Sequence, residues 1–367
     1  MSPSAPPSPT RTPSRLAYLD QLKLMLVALV VVHHAGQAYG PPEDWPLRST
    51  AAGLPLDAFF EINGAFFMGL FFLISAVFLP HTIDRLGARQ AVAIRLVRLG
   101  TPLLVISMLL FGPISYATGP RREDFVVFML RDYVLAGAFE VGHLWFLSWL
   151  LVMSAAYGVW RALGLRRFAV RRADAPGHAS IMAAVMVLAA VNAVVRIWYP
   201  VGLWVDLAPF VRVEVGRLPQ YLLLFAAGLA IGRFGWLQTF PAKRGRIWLF
   251  LGLAAAGLRL AQPWLLPMPN WAWLAEEALI GVGLSVGLLV LSRAAFDRPS
   301  EMASELARDA FGVYLIHIFL VVGLQFALEA APVGGWSRFT AASALGLVLS
   351  FAIARGLRRV PIVRNFL

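Results

Sequence analysis

Three polar side chains in the first apolar run, Asp20, Lys23 and His34, have types and spacings that could do chemistry inside a membrane. At about 100° per residue, Lys23 and His34 fall within about 20° of each other around a helix, with Asp20 on the same stripe. Helix rise separates Lys23 from His34 by roughly 16 Å. One face thus joins a charged mouth to an imidazole near or beyond the midplane. An unperturbed imidazole titrates at about 6.5, which suits a general base or a transient acyl carrier. His33 points about 100° away. A plain polar pair bonded to nearby carbonyls is the competing reading of His33-His34, and the stripe favours a pathway.

Other polar positions extend the set. Arg95 and Arg98 stand three apart ahead of Pro102. They read either as anchors at the membrane face or as paired guanidiniums for phosphates. Glu61 and Asn63 open the second apolar run, His143 and Trp145 the fourth, and Tyr314 and His317 share a face of the ninth. Interfacial anchoring competes with function at each, most strongly at Trp145 and Tyr314. Arg196, near the end of the fifth run, can snorkel outward. A charged group placed in a bilayer is costly, so each is a functional hypothesis until a partner explains it.

These residues must be positioned by membrane-spanning helices. Of 367 residues, 59% are hydrophobic and 14% charged, and mean hydropathy is +0.71. A soluble domain carries nearer a quarter charged residues. The expected fold is all-α, a polytopic helical bundle of about ten spans: Leu22–Tyr39, Phe59–Leu79, Val97–Tyr116, His143–Leu163, Ser180–Tyr199, Leu218–Trp236, Ile247–Leu265, Trp273–Ser292, Phe311–Leu328 and Thr340–Ala354. Residues 1–15 read as a disordered tail, 16–356 as the membrane domain and 357–367 as a basic tail, with the first run retained rather than cleaved.

Basic residues alternate between connections, which supports that count with both termini in the cytoplasm. Arg11 and Arg15 precede the first span. Arg85, Arg89, Arg95 and Arg98 fill the second connection, Arg161, Arg166, Arg167, Arg171 and Arg172 the fourth, and Arg233, Lys243, Arg244 and Arg246 the sixth. Arg355, Arg358, Arg359 and Arg364 follow the last span, while Glu43, Asp44, Asp57, Glu123, Asp124 and Asp132 lie in the first and third connections. The eighth connection, with Arg293, Asp297, Arg298, Glu301, Glu305, Arg308 and Asp309, fits poorly. The net charge of +12 is spread over these loops, so no nucleic-acid face is expected. Cys is absent, which excludes thiolate nucleophiles and Cys-ligated metal, and no metal is expected. Nucleotide-binding loops, zincin pairs and nucleophile elbows are missing. Gly228 and Gly232 read as helix-packing contacts.

Several of these segments, in this order, resemble those of membrane acyltransferase family 3. Tyr18-Leu19-Asp20-Gln21-Leu22-Lys23, then ten residues and His34, is similar to its opening motif, with Lys23 where an Arg is usual. Phe71-Phe72-Leu73-Ile74-Ser75, Arg95-Leu-Val-Arg98 with Pro102, His143-Leu-Trp-Phe-Leu147 and Phe311-Gly-Val-Tyr-Leu-Ile-His317 resemble further family segments. Ala76 stands where Gly is usual. The double histidine and Leu218-Pro-Gln-Tyr-Leu222 resemble a bacterial branch with glucan-modifying members.

The resemblance implies acyl transfer, usually acetyl, from cytoplasmic acyl-CoA to a hydroxyl, often on a glycan, in a bacterial inner membrane. His34, His33 and Glu61 are then the catalytic candidates, and Lys23, Arg95 and Arg98 the acyl-CoA-binding ones. Asp20, His143, Trp145, Tyr314 and His317 are assigned to substrate contact. Lys23 keeps the charge but loses the planar five-donor fork of Arg. Glu61, Glu276 and Glu277 are open candidates to orient His34. A transporter or flippase relaying protons through the same His and Asp residues is the alternative, against which the lack of internal repeats counts.

Overall fold

The computed structural model describes residues 17–41, 45–118, 124–164, 173–265, 268–296, 300–364 and 366. Arg11, Arg15, Glu43, Asp44, Glu123, Arg166, Arg167, Arg171, Arg172, Asp297 and Arg298 lie outside the described residues, as does the expected N-terminal tail. Among the described residues nine helices are long and apolar enough to cross a membrane. They are α1 (Ala17–Gln37), α2 (Asp57–Leu86), α3 (Ala88–Ala117), α4 (Gly142–Ala162), α5 (His178–Val195), α6 (Val215–Phe234), α8 (Asn270–Ala295), α9 (Glu301–Leu328) and α10 (Gly335–Arg358). The expected seventh span is the helix α7 (Ala242–Ala261). Lys243, Arg244, Arg246 and Arg259 lower its apolarity, so packing against α8 rather than hydropathy marks its place. The protein is a polytopic helical membrane protein.

Packing directions follow from which residues meet. Lys23 lies by Phe78, and His33 by Phe60 and Phe67, so α1 and α2 run antiparallel. Arg259 meets Glu276 and Gly245 meets Val290, which makes α7 and α8 antiparallel. Asp309 pairs with Arg355 and Glu329 with Arg338, fixing α9 against α10. α1 is packed by α2, α8, α9 and α10, so the first span sits inside the bundle. We call the face where α1 begins the N-terminal face.

Two features depart from the sequence reading. The second connection shrinks to Gly87, whose φ of +81° turns the chain in one residue. Arg85, Arg89, Arg95 and Arg98 therefore ride on α2 and α3 rather than in a loop. Most of the eighth connection is also helical. Ser300 accepts a hydrogen bond from the Ala303 N–H at 3.2 Å and starts α9 ten residues before the apolar run begins. The fully enclosed Asp309 then pairs with Arg355 at 3.1 Å and Arg358 at 2.8 Å. Its acidic residues fit poorly as a basic connection because they neutralise the arginines at the end of α10.

A two-stranded hairpin, β1 (Trp204–Ala208) with β2 (Val211–Glu214), lies between α5 and α6. Hydropathy gave no sign of it, because it is too short to leave a periodic signal beside 20-residue apolar runs. Trp149 Nε1 donates to the Arg212 carbonyl at 3.1 Å, holding the hairpin on α4.

The Gly228/Gly232 pair does pack helices, as its spacing suggests. A Cβ at Gly228 would strike the Leu73 carbonyl oxygen, and one at Gly232 the Val77 carbonyl oxygen. Backbone cannot rotate aside as a side chain can, so α6 must move off α2. Gly232→Val is expected to cost about 1–3 kcal/mol, read as a lower Tm in detergent. Gly257→Ala, facing open space on α7, is expected to leave Tm unchanged or slightly higher.

Candidate active site

Helix α1 ends with carbonyls that have no intrahelical donor, as every helix does. Gln325 of α9 supplies donors: its Nε2 bonds the His34 and Ala35 carbonyls at 3.1 Å each. Its Oε1 accepts from Trp45 Nε1 at 2.8 Å, which fixes the orientation of the amide. Trp45 also lies edge-on to His34, with ring centroids 5.4 Å apart. The end of α1 that carries His34 is thereby clamped between α9 and the loop that follows α1.

The same contact brings three histidines together. His317 of α9 is edge-on to His34 with centroids 5.1 Å apart, and His143 of α4 is edge-on to His317 at 5.0 Å. His143 and His317 are buried, and His34 is half-buried. Tyr314 donates its hydroxyl to the His143 carbonyl at 2.6 Å, tying α9 to α4. His34 Nδ1, His143 Nδ1 and His317 Nε2 are enclosed without a hydrogen-bond partner. An unmet buried polar atom costs about 1–3 kcal/mol, so three in one cluster call for an explanation. His33 turns the other way: its Nδ1 is 3.5 Å from Asn63 Nδ2, and its ring packs on Phe60 and Phe67.

The remaining candidates fall elsewhere. Lys23 and Asp20, 3.4 Å apart, sit at the N-terminal face. Between Lys23 and His34 the stripe is filled by Val27 and Val30, both packed in the core, so it is not a continuous polar path. Arg95 donates to the Ser75 carbonyl at 2.7 Å and to Ser154 Oγ at 2.8 Å, tying α3 to α2 and α4. Arg98 is exposed, on a π turn (Leu96–Gly100) that makes room for Pro102, which cannot donate to the Arg98 carbonyl. Trp145 packs on Trp204 and Tyr221, at 5.5 and 5.4 Å, toward the hairpin.

The carboxylates considered for orienting His34 are engaged by guanidiniums. Glu61 and Glu276 bind Arg259 at 2.8 and 2.5 Å, and the Arg259 guanidinium lies over Trp273. Glu277 binds Arg196 and Arg217 at 2.5 and 2.9 Å, so Arg196 is paired instead of snorkelling. Among the described residues no group of His, Cys, Asp or Glu is arranged to hold a metal ion. A mainly apolar cavity of about 170 Å³ between α5, α6 and α8 is lined by residues such as Ile181, Leu224 and Val286, with Ser180, Trp236 and Arg293 the polar side chains in its lining.

The acyltransferase-domain model of family 3 matches residues 16–355. The chain belongs to this family of membrane acyltransferases. It is similar to glucans biosynthesis protein C of Escherichia coli K12 and of Shigella dysenteriae serotype 1. Each is 30% identical over 142 residues, which is 37% of this chain and 36% of the relative. The chain thus spans about a third of the length of these relatives. No solved structure matches.

Sequence reasoning did not find Gln325 or the loop staple. A lone amide inside the ninth apolar run was the available signal. Beyond Trp45 the loop is held by Glu329, which accepts from Ser49, from the Thr50 backbone and hydroxyl, and from Arg338 at 2.9 Å. Burial raises the Glu329 pKa, but the bonds from Ser49, Thr50 and Arg338 outweigh it and hold the carboxyl at about 2. Because the folded value lies below the ordinary 4.5, the stabilisation is complete above 4.5 and is lost as pH falls toward 2. The Tm difference between the wild type and Glu329→Gln is expected to be constant from about pH 7 to about pH 5, then to narrow with further acidification. Thermal melts across that range check this.

Proposed function

We propose that this chain is an integral membrane O-acyltransferase of a bacterial inner membrane, with both termini cytoplasmic. It moves an acyl group, acetyl by preference, from cytoplasmic acyl-CoA to a hydroxyl of a glycan or other small hydroxylated acceptor. The observation that carries this reading is the His34 imidazole, clamped at the end of α1 away from the N-terminal face and joined to two buried histidines. The names of the relatives favour a glucan as acceptor.

In this reaction the acceptor oxygen attacks the thioester carbonyl, a C–O bond forms and the C–S bond breaks. His34 Nε2 takes the hydroxyl proton and returns it to the departing CoA thiolate. The exposed Arg98 meets CoA phosphates at the N-terminal face. Lys23 and Arg95 add positive charge there, with Arg95 also bracing α3.

His34→Ala is expected to lower CoA release from acetyl-CoA by about 10²–10⁴-fold, with acetyl-CoA binding retained. Arg98→Ala is expected to weaken binding in a salt-sensitive way. Arg95→Ala is expected to lower Tm as well, because it removes bonds to Ser75 and Ser154. Near-normal turnover in His34→Ala contradicts the assignment of the base.

A further inference from the structure

Hydrogen-bond direction fixes where two of the three clustered histidines hold their proton. A carbonyl oxygen can only accept. His317 Nδ1 lies 2.8 Å from the Tyr314 carbonyl oxygen and 3.2 Å from that of Val313. Nδ1 therefore bears the hydrogen, and the neutral ring presents a bare lone pair at Nε2. By the same reasoning His143 donates from Nε2 to the Leu315 carbonyl, 3.3 Å away, and is bare at Nδ1. Both bare nitrogens are enclosed and unpartnered.

His34 has the complementary defect. Its Nδ1 is enclosed and unpaired, while the residue as a whole is only half-buried. If Nε2 is the working base, Nδ1 must carry the ring proton, and that proton needs an acceptor in a place without water. The carboxylates that could accept it, Glu61, Glu276 and Glu277, are tied to Arg259, Arg196 and Arg217. His317 Nε2 is an acceptor with nothing to accept. The ring centroids are 5.1 Å apart, close enough for a nitrogen of one ring to come within about 3 Å of a nitrogen of the other when the His34 ring turns.

We propose that His317 is the positioning residue for His34, its Nε2 lone pair accepting the His34 Nδ1–H so that the His34 Nε2 lone pair faces the acceptor hydroxyl. This rests on His34 being the base. His317 takes the place that a carboxylate holds in a Ser-His-Asp triad, without burying a second charge. The chain of bonds ends at the Tyr314 carbonyl, which cannot take a proton onward. His317 therefore orients the ring and stabilises the imidazolium, and the proton taken by Nε2 leaves with CoA.

The test is a double-mutant cycle on the full chain in proteoliposomes, following CoA release from acetyl-CoA with water as acceptor. His317→Asn keeps a donor near the Nδ1 position and offers nothing at Nε2, whereas His317→Gln can place an acceptor there. His317→Asn is expected to lower kcat about 10²-fold with KM little changed, and His317→Gln to recover at least tenfold of that loss. In the His34→Ala background His317→Asn should cost nothing further. The acid limb of the kcat profile should move to lower pH in His317→Asn, since the imidazolium loses its acceptor.

Full activity in folded His317→Asn, or an equal loss with and without His34, overturns the proposal. If His317→Asn does not fold, His317→Gln decides the matter: an active enzyme with a shifted acid limb supports it, and a folded inactive one overturns it. Failure of the underlying reading is separate, appearing as turnover retained in His34→Ala alone.

Discussion

A bilayer interior offers no water to polar groups, so each donor and acceptor there must find its partner within the protein. The structure is organised around that constraint. Gln325 spends its donors on the open carbonyls of α1 and its acceptor on Trp45. Arg95 spends donors on a carbonyl and a hydroxyl of two neighbouring helices. Asp309 is fully enclosed and held by two arginines. Other buried polar atoms also lack a partner, both amide atoms of Asn192 among them; the unmet nitrogens of His34, His143 and His317 differ in belonging to rings that pack on one another, which is why we place the reacting groups there.

The two ends of the bundle carry different charge arrangements. At the N-terminal face, Asp84 bridges Arg161 and Arg233, linking α2 to α4 and α6. Exposed Arg98 lies on the helix that starts from this face. At the opposite face the ions are paired among themselves: Arg259 with Glu61 and Glu276, and Glu277 with Arg196 and Arg217. Paired charges there tie α2, α6, α7 and α8 to one another and to the residue that follows α5. Breaking such a pair exposes a lone charge in a poor solvent, so these ions serve the frame that holds the cluster in place.

Much of this was legible in the sequence, for reasons that can be stated residue by residue. Apolar runs of bilayer length gave the helices. Helical periodicity singled out His34, and the shared face of Tyr314 and His317 was visible as an i, i+3 pair. Three spans far apart in the chain bring His34, His143 and His317 together, and no local pattern encodes that contact. Lys23 and His34 do share a stripe, but periodicity could not say that Val27 and Val30 close it. Carboxylates were natural candidates to orient an imidazole; that guanidiniums had already claimed them depends on tertiary packing alone.

The central claim is that a helix bundle passes an acyl group from a donor on one side to an acceptor on the other through the histidine cluster. Its most direct test seals radiolabelled acetyl-CoA inside oriented proteoliposomes and supplies a soluble glucose oligomer only outside. The account predicts labelled oligomer outside and a matching amount of free CoA inside, both dependent on His34. Labelled oligomer formed only when donor and acceptor share a compartment, or label crossing with no CoA released, would contradict it.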